Sequence, residues 1–458
     1  MMIFMRLRLW IAAMVLMVLI FPACLQDEPD PVEEYEQYGT PFNQVPDTKD
    51  VVLYEVNIRA FSPHPNLQGV IDRIDSIKSL GVNVIWLMPI HPIGSINSVN
   101  SPYSVKNYKE VNPSFGTLDD LRELTDAAHA RGMAVIMDWV ANHTAWDNPW
   151  LLEHRSWYTQ DGSGNVIHPA GTNWQDVADL NYSNDTMRTA MIDAMKYWIY
   201  TANVDGFRCD YADGVPFSFW QNAWSSLHSI EGRKFILFAE GTRADHFTAG
   251  FDLNFGWQFY GALKNVYAGQ SVSTIFAAHA NEYQGVAEGK HWVRFTTNHD
   301  ESAWDATPIS LFDGINGALA ASVVTIFTGG VPLLYSSQEV GTAQTVPFFS
   351  TSTINWSANP EMLHAYQAML SYYANKETAR LGENTVFADD DIACLQKSLN
   401  SDTILVVTNL RNSEINWTIP GSLQTTQWVD AFTGYPFTFT ESLLLNPYQY
   451  LIFQKGLN

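Results

Sequence analysis

DGFRCDYADG, residues 205–214, brings Asp205, Asp210 and Asp213 together with Arg208 at a point where an apolar segment reaches the surface. Acidic groups are normally kept away from the end of a buried strand, so this run asks for an explanation. Along a strand, residues two apart project to the same side, which places Arg208 beside Asp210. A guanidinium next to a carboxylate favours the charged form, so this spacing predicts an ionised Asp210.

Working outward, the same kind of segment recurs. VVLYEVNIRAF (51–61), VNVIWLMPI (82–90), MAVIMDWV (133–140), VDGFRCDYA (204–212), KFILFAEGT (234–242), AGFDLNFGW (249–257), WVRFTTNHD (292–300) and VPLLYSSQE (331–339) are short β-rich runs separated by helical stretches. Several are apolar almost throughout, the pattern of strands buried on both faces. Between them, LQGVIDRIDSIKSLG (67–81) has helical spacing, and TLDDLRELTDAAHARG (117–132) opens on a Thr117–Asp120 capping pattern and stops at Gly132. Eight such β/α units predict an α/β fold, a (β/α)8 TIM barrel over residues 49–380. A doubly wound open sheet is the alternative, and no G-x-G-x-x-G or phosphate loop supports it. The third unit carries a short insertion, about residues 144–183, rich in Trp, Asn, Gly and His; loops of that length in a compact domain are usually functional. Residues 381–458 switch to short alternating runs and turns, predicting a C-terminal antiparallel β-sandwich.

Composition narrows the function. With 46% apolar and 16% charged residues the chain is globular, and a formal charge of −23 argues against nucleic acid, which requires a basic face. Sixteen tryptophans and twenty tyrosines supply either a large aromatic core or flat platforms for sugar rings. At the N-terminus, Arg6 and Arg8 precede an apolar run that ends at Ala23 and Cys24, the layout of a signal peptide over residues 1–23. Cys24 resembles the lipidated cysteine of an exported bacterial lipoprotein, displayed on the outer membrane or cell surface. The acidic, proline-rich residues 24–48 then read as a flexible tether. Membrane contact is expected only through that anchor. Cys209 and Cys394, far apart in sequence, allow a disulfide or two buried thiols, and no cysteine spacing suggests a metal.

In a barrel of this kind, side chains at the C-terminal strand ends converge on one site. Here those ends carry Asp138, Asn142, His143, Arg208, Asp210, Glu240, Asn298, His299 and Asp300. Glu240 follows the uncharged FILFA, a setting expected to favour a protonated carboxyl. One ionised and one protonated carboxylate is the pairing of a retaining glycosidase.

DWVANH (138–143), GFRCD (206–210), FAEG (238–241) and TTNHDES (296–302) resemble, in order, the four motifs of the α-amylase family of glycoside hydrolases, with weaker matches in GVNVIWLMP (81–89), SPYSVKNYKEVNPSFGT (101–117), DVADLN (176–181) and GGVPLLYSSQE (329–339). The resemblance spans about residues 50–458. It implies cleavage of α-1,4-glucosidic bonds in starch or maltodextrins by double displacement, with Asp210 as nucleophile, Glu240 as general acid and base, and Asp300 as the third carboxylate. It further implies sugar contacts from Tyr103, His143, His299, Asn298 and Arg208, with Arg208 also orienting Asp210. Asp205 and Asp213 are expected to stay out of the chemistry. Where many relatives carry Lys-His after the nucleophile, this chain has Asp213 and Gly214, which alters the reducing-end subsites. A Ca²⁺ ion held by Asn142, Asp179 and the Gly214 carbonyl is implied, against a purely structural role for Asn142. Trp146, Trp150, Trp174 and Trp304 are either further stacking subsites or core. An α-glucosidase, a cyclodextrin or pullulan hydrolase or a transglycosylase would share these motifs. A non-catalytic glycan-binding protein is the alternative from another class, and the intact carboxylates weigh against it.

Overall fold

The computed structural model of the protein describes residues 34–455. Eight parallel strands close a barrel: β1 Leu53–Val56, β2 Val84–Leu87, β3 Ala134–Val140, β4 Gly206–Asp210, β5 Ile236–Ala239, β6 Leu253–Phe255, β7 His291–Arg294 and β8 Val331–Tyr335. They follow one another round the ring in chain order, and β8 returns to pair with β1 at Leu53↔Leu333, leaving no open edge. Each apolar run in the sequence supplies one strand, because a strand sandwiched between a filled interior and an outer helical layer is buried on both faces. β3 is buried at every one of its residues.

The strand boundaries are tighter than the apolar runs. The first run stops as a strand at Val56, since the Asn57 side chain accepts a hydrogen bond from the Arg59 N–H and starts a helical turn, Ile58–Phe61. Thr117 and Asp120 form the expected reciprocal capping box on helix Leu118–His129. Cys209 and Cys394 are separate buried thiols.

Residues 34–48 depart from the tether reading. Tyr35 donates to Asp193, Tyr38 N–H bonds the Tyr200 carbonyl at 2.7 Å, and Phe42 stacks on His129 with centroids 4.2 Å apart. Asp47 pairs with Lys234. The acidic residues and prolines point to a tether, but spaced aromatic anchors dock this stretch on the outer helices, since each buries a ring large enough to offset the ordering of its neighbours. The signal segment 1–23, Cys24 and residues 25–33 lie outside the described residues.

Past Leu381 the chain forms a six-stranded antiparallel sheet, ordered Glu383–Phe387, Ile392–Leu399, Asp402–Asn409, Tyr450–Lys455, Gln427–Asp430, Pro436–Thr438. A two-stranded ribbon, Ile415–Thr418 with Ser442–Leu445, shares a core with it around Trp417, Trp428 and Phe453.

Candidate active site

The register between β3 and β4 sets Asp138 directly beside Arg208, so their side chains meet inside the barrel. Arg208 has no exposed side-chain surface and reaches three carboxylates. Its Nη1 donates to Asp138 at 2.9 Å and to Asp210 at 3.2 Å, and its Nη2 lies 3.0 Å from Glu240. The guanidinium also sits 5.0 Å over the Trp86 ring. Burial opposes its charge, but Asp138 and Glu240, with Tyr103 and Asp210, overcome that and hold it firmly cationic.

Asp210 differs from the sequence expectation. Burial and the Glu240 charge push its carboxyl well up, against the pull of Arg208. One guanidinium divided among three carboxylates does not neutralise each of them, and the spacing of residues along β4 did not count the acids arriving from β3 and β5. Glu240 stands just past the end of β5, with Phe238 two residues back on the same side of the strand. Its Oε2 accepts from the Tyr211 N–H at 2.8 Å and lies next to Arg208. Tyr211 makes that bond from a left-handed conformation, φ 39° and ψ 49°, a strained backbone for a residue with a Cβ. Glu240 lines the cleft.

A second linked group surrounds His299. Its Nδ1 donates to Glu55 at 2.5 Å, its Nε2 to the Tyr103 hydroxyl at 2.7 Å, and Tyr103 donates onward to Asp138 at 3.0 Å. Burial alone would lower the imidazole, but Asp300, 3.5 Å away, and Glu55 raise it to about 9. His143 lacks such partners, and burial lowers it to about 4, so it is neutral. A histidine raised from an ordinary 6.5 contributes stability that is complete below pH about 6.5 and is lost as pH rises through about 9. Glu55→Gln should drop the His299 titration below 9 by at least about one unit, read by NMR of the ring. A titration unchanged in the variant would mean that Asp300 alone sets it.

These residues open onto a cleft of about 680 Å³ at the C-terminal barrel end, lined by Tyr103, His143, Trp174, Asp210, Tyr211, Glu240, His299, Asp300, Trp304, Phe348 and Phe349 among others. Two expected sugar contacts are absent from that wall. Arg208 is wholly buried beneath the acids. Asn298 is 1% exposed and its Oδ1 caps helix His299–Trp304 by accepting from the Glu301 N–H at 2.8 Å. Among the tryptophans, Trp174 and Trp304 line the cleft, whereas Trp150 packs against Tyr108 and Trp157. Glu55, Phe348 and Phe349 are contributions that motif spacing missed; Phe348 stacks on Tyr103 at 5.7 Å.

The two aspartates flanking Asp210 hold backbone. Asp205 accepts from the Val135 N–H at 2.8 Å and pairs with His129 at the entry to β4. Asp213 accepts from the Thr242 and Arg243 N–H groups, the Thr242 hydroxyl and His246, all on the segment just after Glu240. Burial opposes its charge, but those donors hold its carboxyl far below the usual range.

For a cation, Asn142 and Gly214 adjoin, since a Cβ on Gly214 would come within 2.4 Å of Asn142 Oδ1. The hairpin His143–Ala145 with Val177–Asp179 sets Asp179 opposite His143, and burial raises its carboxyl against the opposing pull of Thr159 and His168. All three donors are oxygens, which fits a hard cation, although no group of three or more His, Cys, Asp or Glu among the described residues is placed to hold a metal.

Comparison with known proteins agrees with this geometry. Residues 48–381 match the family model "Alpha amylase, catalytic domain". Alpha-amylase MalA of Haloarcula japonica is 27% identical over 75% of this chain and 50% of its own length, so the chain spans half of that relative. Alpha-amylase 2 of Dictyoglomus thermophilum is 25% identical over 83% of this chain and 69% of its own. Among solved structures, an alpha-amylase from Lactobacillus plantarum superposes with a TM-score of 0.79 at 25% identity, covering 89% of this chain and 99% of that one. The maltogenic alpha-amylase AmyB of Thermotoga neapolitana shares the fold at a TM-score of 0.80 and 24% identity, covering 90% of this chain and 100% of its own. The barrel, its acid-lined cleft and a family match over most of the chain lead to one assignment: this protein belongs to the α-amylase family.

Proposed function

We propose that this protein is a retaining glycoside hydrolase of α-1,4-glucans such as starch and maltodextrins. The observation that carries the reading is one buried guanidinium holding Asp210 and Glu240 together at the floor of an aromatic-lined cleft. Asp210 attacks the anomeric carbon as the glycosidic C–O bond breaks, and Glu240 gives its proton to the departing oxygen. Water then enters; Glu240 takes one of its protons while its oxygen displaces Asp210, restoring both groups with the starting configuration.

The two acids support each other's states. Once Glu240 carries the proton, its charge no longer adds to the burial that pushes Asp210 up, while Arg208 still favours the ionised form. Asp300, His143 and the charged His299 are placed to grip sugar hydroxyls, with Tyr103 offering a ring to the sugar face. Products from maltoheptaose and starch, separated by chromatography, test the reading. Mixed short maltooligosaccharides support an endo-acting amylase, glucose alone supports an exo-glucosidase, and binding without cleavage contradicts catalysis.

Asn142, Asp179 and Gly214 would hold Ca²⁺, which when bound ties the strand-three insertion to the loop after β4. If so, EDTA lowers the Tm, and added Ca²⁺ restores it while Mg²⁺ does not; a Tm indifferent to EDTA removes the ion from the account. The N-terminal sequence also supports export and lipid attachment at Cys24. Cys24→Ser should then release the protein from the membrane fraction, and retention there would refute the anchor.

A further inference from the structure

At the N-terminal face of the barrel, opposite the acid-lined cleft, a cavity of about 400 Å³ lies between the barrel and the C-terminal sheet. Its wall carries Lys49, Arg380, Lys397, His279 and His291 and no carboxylate side chain, in a chain whose net charge is −23. The surrounding acids are taken. Asp50 pairs with Arg380 at 2.9 Å, Glu282 with Arg294, and Asp402 with Lys376 at 2.9 Å.

Lys397 is the feature in need of a partner. It sits on strand Ile392–Leu399 and is 2% exposed, yet its ammonium has no hydrogen bond or ion pair among the described residues. Burial is the one influence acting on it and pushes it down to about 8. Lysines buried to this degree are almost always paired, and Lys397 instead lines the cavity. The stem is fixed against Gly382, where an added Cβ would approach Lys397 Cβ to 2.9 Å. Gly329 and Gly330, with φ of 121° and 113°, keep the adjoining cavity wall free of side chains.

We propose that this cavity is an oxyanion site, taking a phosphate or sulfate group whose charge completes Lys397. Lys49 adds positive charge, Arg380 adds a guanidinium already paired with Asp50, and His279 and Asn384 add polar atoms to the wall. The volume falls in the range of small-molecule pockets and exceeds what a bare oxyanion fills, so the group arrives free or carried on a molecule of about monosaccharide size. Because the site joins the two domains, occupancy stabilises the fold without touching the reacting acids.

Binding to the full chain is measured by calorimetry and by Tm, using inorganic phosphate and a hexose phosphate, with glucose and KCl at matched ionic strength as controls. Saturable binding and a Tm rise beyond the KCl control are expected, with Lys397→Met weakening affinity at least about tenfold while starch hydrolysis is unchanged. Tighter binding of the hexose phosphate identifies a carried group, and equal binding a free ion; either supports the site. Should Lys397→Met fail to fold, Lys49→Gln at the rim is expected to weaken binding about two- to threefold. No binding above the salt control, or equal binding by wild type and Lys397→Met, would overturn the proposal.

Discussion

Asp210→Asn should reduce kcat on maltoheptaose by at least about 10⁴-fold while raising the Tm. The loss of rate follows from removing the oxygen that forms the glycosyl-enzyme bond. The gain in stability follows from the position of the carboxyl. Burial and the neighbouring Glu240 push Asp210 up from the ordinary value, so the folded protein binds its proton more tightly than the unfolded chain does. For such a group, stability falls as pH rises from the unfolded value through the folded one. An amide of the same shape carries no charge and escapes that cost at neutral pH. Thermal melts of wild type and variant at pH 7, with kinetics on the same samples, check both halves. A variant that is inactive but less stable would show that Arg208 compensates the burial of Asp210.

Arg208→Met has the largest expected structural effect. It strands Asp138, Asp210 and Glu240 around an apolar side chain, in positions now satisfied by a guanidinium with no exposed surface. Removing one partner of a buried ion pair typically costs about 3–5 kcal/mol, and activity should vanish with the geometry of both acids. Arg208→Lys is the informative companion. Its point charge cannot reach three carboxylates from two nitrogens as the planar fork does, so the fold should survive while kcat falls about 10²-fold. Denaturant unfolding measures the first effect and steady-state kinetics the second. A lysine variant with wild-type kcat would show that charge alone, without the fork, positions the acids.

The barrel was legible because its strands are buried on both faces, so VIWL carries no polar residue and AVIMDWV only Asp138. The acids were legible for the same reason: at the end of an apolar strand, Asp210 and Glu240 stand out. What sequence spacing could not supply was how many charges share a neighbour. Arg208 and Asp210 read as a pair along one strand, yet Asp138 arrives through the β3 register and Glu240 through β5. The motif points to Asn298 as a sugar contact, although Glu301, three residues on, completes a helix-capping pattern visible in the sequence. Glu55 is hidden inside the apolar run LYEV, and only closure of the barrel brings β1 beside His299. In residues 34–48 the proline and acid content points to a tether, while Tyr35, Tyr38 and Phe42 are the residues that dock the stretch.

The central claim is that Asp210 forms the covalent intermediate. Incubating the protein with an activated fluorinated glucosyl or maltosyl fluoride, which slows the second displacement, and mapping the adduct by peptide mass spectrometry tests it most directly. A single sugar attached to Asp210 in the wild type, and none in Asp210→Asn, is the result predicted. A label on Glu240 or Asp300, or turnover with inversion and no label, would contradict it.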